Sequence, residues 1–235
     1  MDLTHLTPMS SDETAALLFM CGDQYLFRYR TKETGIAYKF VSPAAVRAAF
    51  AEETIETNWL PPNARRWGIA RHGEWIILAF PPQKHPFSFV NEVDERKPVT
   101  FDVPMPGLAF FGYGQRYYVW AYKDAELKGD TNLHAAPLPN VDASGAICFG
   151  ANAIPKASAQ TIGEAWRIFL TSPFTNHSVN GKSKKFPDDV RKQLLHLANR
   201  RRRGYPLDDL VSLNRTANMV IEWTVNHHPL EVGGL

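Results

Sequence analysis

Apolar residues come in short strand-like runs over the first half of the chain and at helical spacing over the second. Leu17-Leu18-Phe19-Met20 and Tyr25-Leu26-Phe27-Arg28-Tyr29, parted by Gly22-Asp23, predict a hairpin. A third run spans 36–41. Ser42-Pro43 then opens a short helix, with serine as cap and proline at the first helical position. Val46, Ala49 and Phe50 share one of its faces, and it is expected to end near Thr54. After a loop at 59–62, the runs 67–69 and 75–79 flank His72-Gly73 as a second hairpin. Pro81-Pro82 stops it, because proline has no N–H for a central ladder. Residues 83–98 are polar and proline-bearing and read as an exposed loop, followed by short strands at 99–103 and 108–111. The clearest strand is 117–122, with Tyr118, Trp120 and Tyr122 on one face and Tyr117, Val119 and Ala121 on the other.

Beyond Tyr122 the pattern changes. Residues 123–155 are rich in Gly, Pro, Asn and Asp and read largely as loop. Thr161 and Glu164 have capping-box spacing, and Ile162, Ala165, Trp166, Phe169 and Leu170 recur as one helical face that Pro173 closes. A basic connector at 181–185 leads to a helix expected to carry Pro187, Asp188 and Asp189 in its first turn and Arg200 to Arg203 at its end. Residues 207–223 read as a final helix. A meander, a long irregular segment and then helices make an α+β class. Three regions are expected: an N-terminal strand-helix extension packed on the core (1–58), the core (59–180) and a C-terminal helical region (181–235).

Composition narrows the function. Of 235 residues, 44% are hydrophobic and 21% charged, which places the chain among globular proteins rather than disordered or fibrous ones. A net charge of +2 supplies no field for nucleic acid or a membrane surface. Arg200 to Arg203 read as a solvated helix end rather than a phosphate site. No apolar run reaches the ~18 residues of a membrane span, and the first residues lack a secretory pattern. Two cysteines are too few for a disulfide framework, so a reducing, cytoplasmic setting is expected. His227-His228 has no metal-site spacing around it, and no cofactor is expected.

The chemistry concentrates in Pro139-Asn140-Val141-Asp142-Ala143-Ser144-Gly145-Ala146-Ile147-Cys148. This stretch resembles the active-site segment of ubiquitin-conjugating enzymes, in which His-Pro-Asn precedes a Gly-x-Ile-Cys step at the same offsets. Pro139, Asn140, Gly145, Ile147 and Cys148 fall in register, and the helix at 161–171 with Ser172 to His177 resembles the elements that follow the cysteine. The specific likeness covers about 138–179. Among bacterial members, the run from Val103 through Trp166-Arg167-Ile168-Phe169 and Pro173-Phe174-Thr175 looks most like the PRTRC system protein B family. That resemblance implies a ThiF-like activating enzyme, a ubiquitin-like modifier and a JAB-type metalloprotease as partners.

The resemblance makes Cys148 the acceptor of a modifier's C-terminus. A thiolate attacks an activated acyl group readily, and the thioester stays reactive toward an amine. Asn140 is either the donor that holds the developing oxyanion or a tie for the loop's backbone. Gly145 allows a tight turn, and Ile147 anchors the segment. Two departures from the family pattern stand out. Leu138 replaces the family histidine, for which His134 is a substitute four residues earlier. His177 stands where many members have an acidic residue, and as a base it would deprotonate the incoming amine, with Asn176 orienting it. Three functions are expected to compete: a conjugating enzyme, an inactive relative kept as an interaction module, and a cysteine hydrolase pairing Cys148 with His134 or His177. Cys21 reads as an inert strand residue.

Overall fold

The computed structural model describes residues 17–21, 24–31, 35–50, 58–71, 73–90, 98–199 and 204–227. The chain divides into two compact units, 1–56 and 57–235. In the first, β1 (Leu17–Cys21), β2 (Gln24–Thr31) and β3 (Gly35–Val41) pair antiparallel in that order, and α1 (Pro43–Phe50) follows. The Ser42 hydroxyl accepts the Ala45 N–H at 3.1 Å, so the cap expected from Ser-Pro is made. The expected helix end at Thr54 lies outside the described residues.

In the second unit, β4 (Ala64–Ala70) and β5 (Gly73–Phe80) form a hairpin; β6 (Gln83–Phe89) and β7 (Val99–Met105) form another. Then come β8 (Gly107–Tyr113), β9 (Arg116–Tyr122) and β10 (Asn132–Ala135), followed by α2 (Ile162–Thr171), α3 (Val190–Asn199), β11 (Ser212–Thr216) and α4 (Ala217–Asn226). The main sheet has the order β11-β10-β9-β8-β5-β4, with every pair antiparallel, and β6-β7 stands apart as a two-stranded ribbon.

Each face of the sheet has its own core, and β9 serves both, as its alternation predicts. Tyr117, Val119 and Ala121 pack with Phe110, Leu108 and Ile76 against Trp166 and Phe169 of α2, Leu194 and Leu197 of α3, and the ribbon's Phe87 and Val103. Trp166 stacks on Phe80 with ring centroids 4.6 Å apart. On the other face Tyr118, Trp120 and Tyr122 pack with Ile77, Phe111 and the Val220 and Ile221 of α4.

Four local expectations are corrected. Residues 83–89 are strand β6, not loop, because His85, Phe87 and Phe89 alternate inward. Pro86 is tolerated there because a two-stranded ribbon leaves an edge whose N–H groups need no strand partner. Residues 207–223 are not one helix. A 3-10 turn (Leu207–Asp209) and β11 precede α4, whose cap is Thr216, the hydroxyl accepting the Met219 N–H at 3.4 Å. Thr161 forms no capping box: its hydroxyl donates to the Lys156 carbonyl (2.6 Å), and Ser158 receives the Thr161 N–H (3.2 Å). Finally, α3 begins after Asp189, which caps it from outside by accepting the Arg191 N–H at 2.9 Å and pairs with the Arg191 guanidinium at 2.8 Å. Arg200 to Arg203 fall outside the described residues.

Candidate active site

β10 pairs with only the far end of β9, from Trp120 to Tyr122, and leaves the nearer edge open. Residues 145–147 fill it. The Val119 N–H donates to the Gly145 carbonyl (2.8 Å) and the Ile147 N–H to the Tyr117 carbonyl (2.9 Å). Ile147 is half-buried against the core, and Cys148, next along the segment, is exposed.

The turn leading into that segment is organised by Asp142. One carboxylate oxygen accepts the Ser144 N–H (2.8 Å), the Ser144 hydroxyl (2.6 Å) and the Ala146 N–H (2.9 Å). Such local bonding is why Asp favours turns over helix or sheet. Gly145 has φ +95°, and a methyl group there would run into the Trp120 indole. The indole N–H itself donates to the Ser144 carbonyl at 2.8 Å. Glycine is required twice over: for the left-handed backbone and for the close approach.

The expected site residues fall as follows. Asn140 has φ +57°, and its carbonyl accepts the Cys148 N–H at 2.8 Å, so the two residues lie side by side. Its Oδ1 accepts the Thr175 hydroxyl at 2.9 Å, which orients the amide. The Asn140 N–H donates to the His177 carbonyl (2.9 Å), and the His177 N–H to the Thr175 hydroxyl (3.1 Å). Asn176 and His177 are exposed on that same turn. The ribbon holds the turn in place: the Phe174 N–H donates to the Ser88 carbonyl (2.7 Å) and the Val90 N–H to the Phe174 carbonyl (3.0 Å). Asn140, Asn176 and His177 are thus gathered around the Cys148 segment. His134 is elsewhere: it is buried in β10 opposite Ala121, and its Nδ1 has no hydrogen-bond partner among the described residues. Burial pulls its pKa below the usual histidine value.

One side chain at the loop was read from the sequence only as part of a basic connector. Lys182 is 3% exposed, and its ammonium donates to the carbonyls of Leu138 (2.8 Å), Val141 and Ser178. The Leu138 side chain is fully buried in the core. At this position, then, the tie to the loop runs through the main-chain carbonyl. Sequence spacing carried no signal for it, because Lys182 lies 44 residues from Leu138.

An exposed thiol on a segment fixed through its own main chain, bonded there to an asparagine and flanked by a turn that carries an imidazole, can receive an acyl group and offer it to a nucleophile. Mostly antiparallel strands running into that loop, with helices after it, are consistent with the ubiquitin-conjugating-like class. A model of prokaryotic E2 family D matches residues 37–213, about three quarters of the chain, and the protein belongs to that family. Membership points to a ubiquitin-conjugating-like role and to dealings with an activating enzyme and a modifier in general. No curated protein and no solved structure matches the chain. Among the described residues, no helix is long and apolar enough to cross a membrane.

Proposed function

We propose that the protein accepts the C-terminus of a ubiquitin-like modifier as a thioester on Cys148 and passes it to an amine. The observation that supports this reading is the bond from the Cys148 N–H to the Asn140 carbonyl, which ties the residue bearing an exposed thiol to Asn140, whose amide Thr175 orients. In the loading step the Cys148 thiolate attacks the modifier's thioester carbonyl, and the activating enzyme's thiolate leaves. In the second step an amine attacks the new thioester. The oxyanion that forms is held by Asn140 Nδ2, the amine's proton passes to His177 or water, and the Cys148 thiolate departs. Loss of one oxyanion donor typically costs about 3 kcal/mol of transition-state stabilisation. Asn176 on the same turn orients the amine.

The partners of this reading are a ThiF-like activating enzyme, a ubiquitin-like modifier and a JAB-type metalloprotease, within a PRTRC-type gene cassette. Residues 1–58 supply a docking surface for the activating enzyme. The hydrolase alternative has little support, because among the described residues no hydrogen bond joins the Cys148 thiol to an imidazole. To test the reading, the protein is incubated with the activating enzyme and modifier encoded beside its gene, and ATP. A reducible adduct is expected with the wild type and none with Cys148→Ala. An adduct that persists in Cys148→Ala removes the assignment. No adduct with the wild type, alongside intact partner binding, leaves the interaction-module function instead.

A further inference from the structure

An ammonium has three N–H donors and no acceptor, and burying one is costly unless each donor is met. Lys182 meets all three on main-chain carbonyls, and the three are placed to a purpose. Leu138 and Val141 bracket the Pro139-Asn140 step from either side. Ser178 follows His177, whose carbonyl receives the Asn140 N–H. Asn140 and Ser178 both sit in the left-handed region, at φ +57° and +49°, which residues with a side chain seldom adopt. Two separate segments are therefore folded into unfavourable turns around a single cation, and the carbonyl of one of those turns holds Cys148.

We infer that Lys182 is a positioning residue for the reaction at Cys148: it fixes the Asn140 turn, and with it the separation of amide and thiol, while touching neither. The inference rests on the reading of Cys148 given above. Burial pulls the Lys182 pKa down to about 8, while the Asp142 carboxylate, the charged group facing it, raises it. The three carbonyl dipoles also favour the charged form. Lys182 is therefore mostly an ammonium at neutral pH.

The test compares wild type with Lys182→Met, which keeps the stem and removes the donors. The first readout is amide hydrogen exchange at Asn140 and Cys148, with Ile77 in β5 as a distant reference. The second is discharge of Cys148 to free lysine after loading from a peptide ending in Gly-Gly, activated as a small-molecule thioester. Expected in Lys182→Met are exchange at Asn140 and Cys148 at least tenfold faster with Ile77 unchanged, and discharge about tenfold slower. If exchange at both amides and discharge stay within twofold of wild type, the positioning role is overturned. It is overturned equally if Ile77 exchange accelerates with the other two, which would make Lys182 a support of the whole fold. Should Lys182→Met not fold, the wild type decides. Corrected for intrinsic rates, protection at Asn140 and Cys148 should fall between pH 7 and 9 as the ammonium loses a donor, while Ile77 holds; parallel behaviour of all three sinks the inference. If the loaded wild type discharges no faster than a free cysteine thioester, the reading of Cys148 fails, and exchange still decides the role of Lys182.

Discussion

From Asp142 to Ile147 the loop leans on the sheet: its backbone extends the ladder of β9, its turn is closed by a carboxylate from within, and Trp120 holds it from below. From Leu138 to Val141 it pairs with none of the described strands: only Val141 bridges, to Ile147 of the loop's other half, while the carbonyls of Leu138 and Val141 lean on a cation brought from beyond α2. The two halves meet at the Asn140–Cys148 bond. Cooperative main-chain bonding and a single side chain are two ways to fix an exposed segment, and they fail differently. The first fails when its geometry is blocked. The second is sensitive to protonation.

The largest effect is expected from blocking the sheet-borne half. Gly145→Ala adds the cost of a left-handed alanine to a collision with Trp120, together about 4 kcal/mol of stability, measured by urea unfolding. Loading of Cys148 should be lost even in the fraction that folds.

Next comes pH, acting on the other half. Because the Lys182 pKa falls from 10.5 to about 8 on folding, the unfolded chain binds more protons between those values, and this group's contribution to stability rises with pH. What is relieved is the cost of keeping a cation out of water, which weighs on the whole fold well below pH 8 and is gone above pH 10.5. This holds even though the loop itself loses a donor as the ammonium deprotonates. Tyr117, pushed up to about 12 by burial, works the opposite way above pH ~10, so the useful window ends there. Between about pH 8 and 9.5, wild-type stability should gain about 2 kcal/mol relative to Lys182→Met. A flat difference would show that the two halves are not held by different physics.

The smallest effect lies at the junction. Thr175→Val removes the hydroxyl that turns the Asn140 amide, at a cost of about 1 kcal/mol. Discharge to lysine should slow about fivefold while loading is unchanged, as read by single-turnover assays.

The sheet was largely legible in the sequence because its residues announce themselves by period. The alternation over Tyr117–Tyr122 predicted both cores, and the hairpins at Leu17–Cys21 with Gln24–Thr31 and at Ala64–Ala70 with Gly73–Phe80 stand where turn residues mark them. β6 was missed because lysine, histidine and proline mask an alternation carried by only three inward residues. β11 was missed because a run of five polar-rich residues merges by eye with the helix it precedes. Within the candidate site, the local geometry was readable: Gly145 turns the chain, and Asn140 and Cys148 lie side by side along it. The ammonium was not. Its partners are carbonyls, which every residue possesses, so no choice of residue type at 138, 141 or 178 marks the contact. His134 illustrates the converse: nearness along the chain drew attention to a ring whose strand carries it into the sheet.

The coverage of β9 by residues 145–147 has a consequence apart from chemistry. A bare half-edge in the middle of an aromatic-rich sheet is a template on which extended chains from neighbouring molecules add themselves. The segment that presents the thiol is also the cover over that template. Variants that peel it away should not merely be inactive; they should become sticky, and clumping would accompany the loss of reactivity.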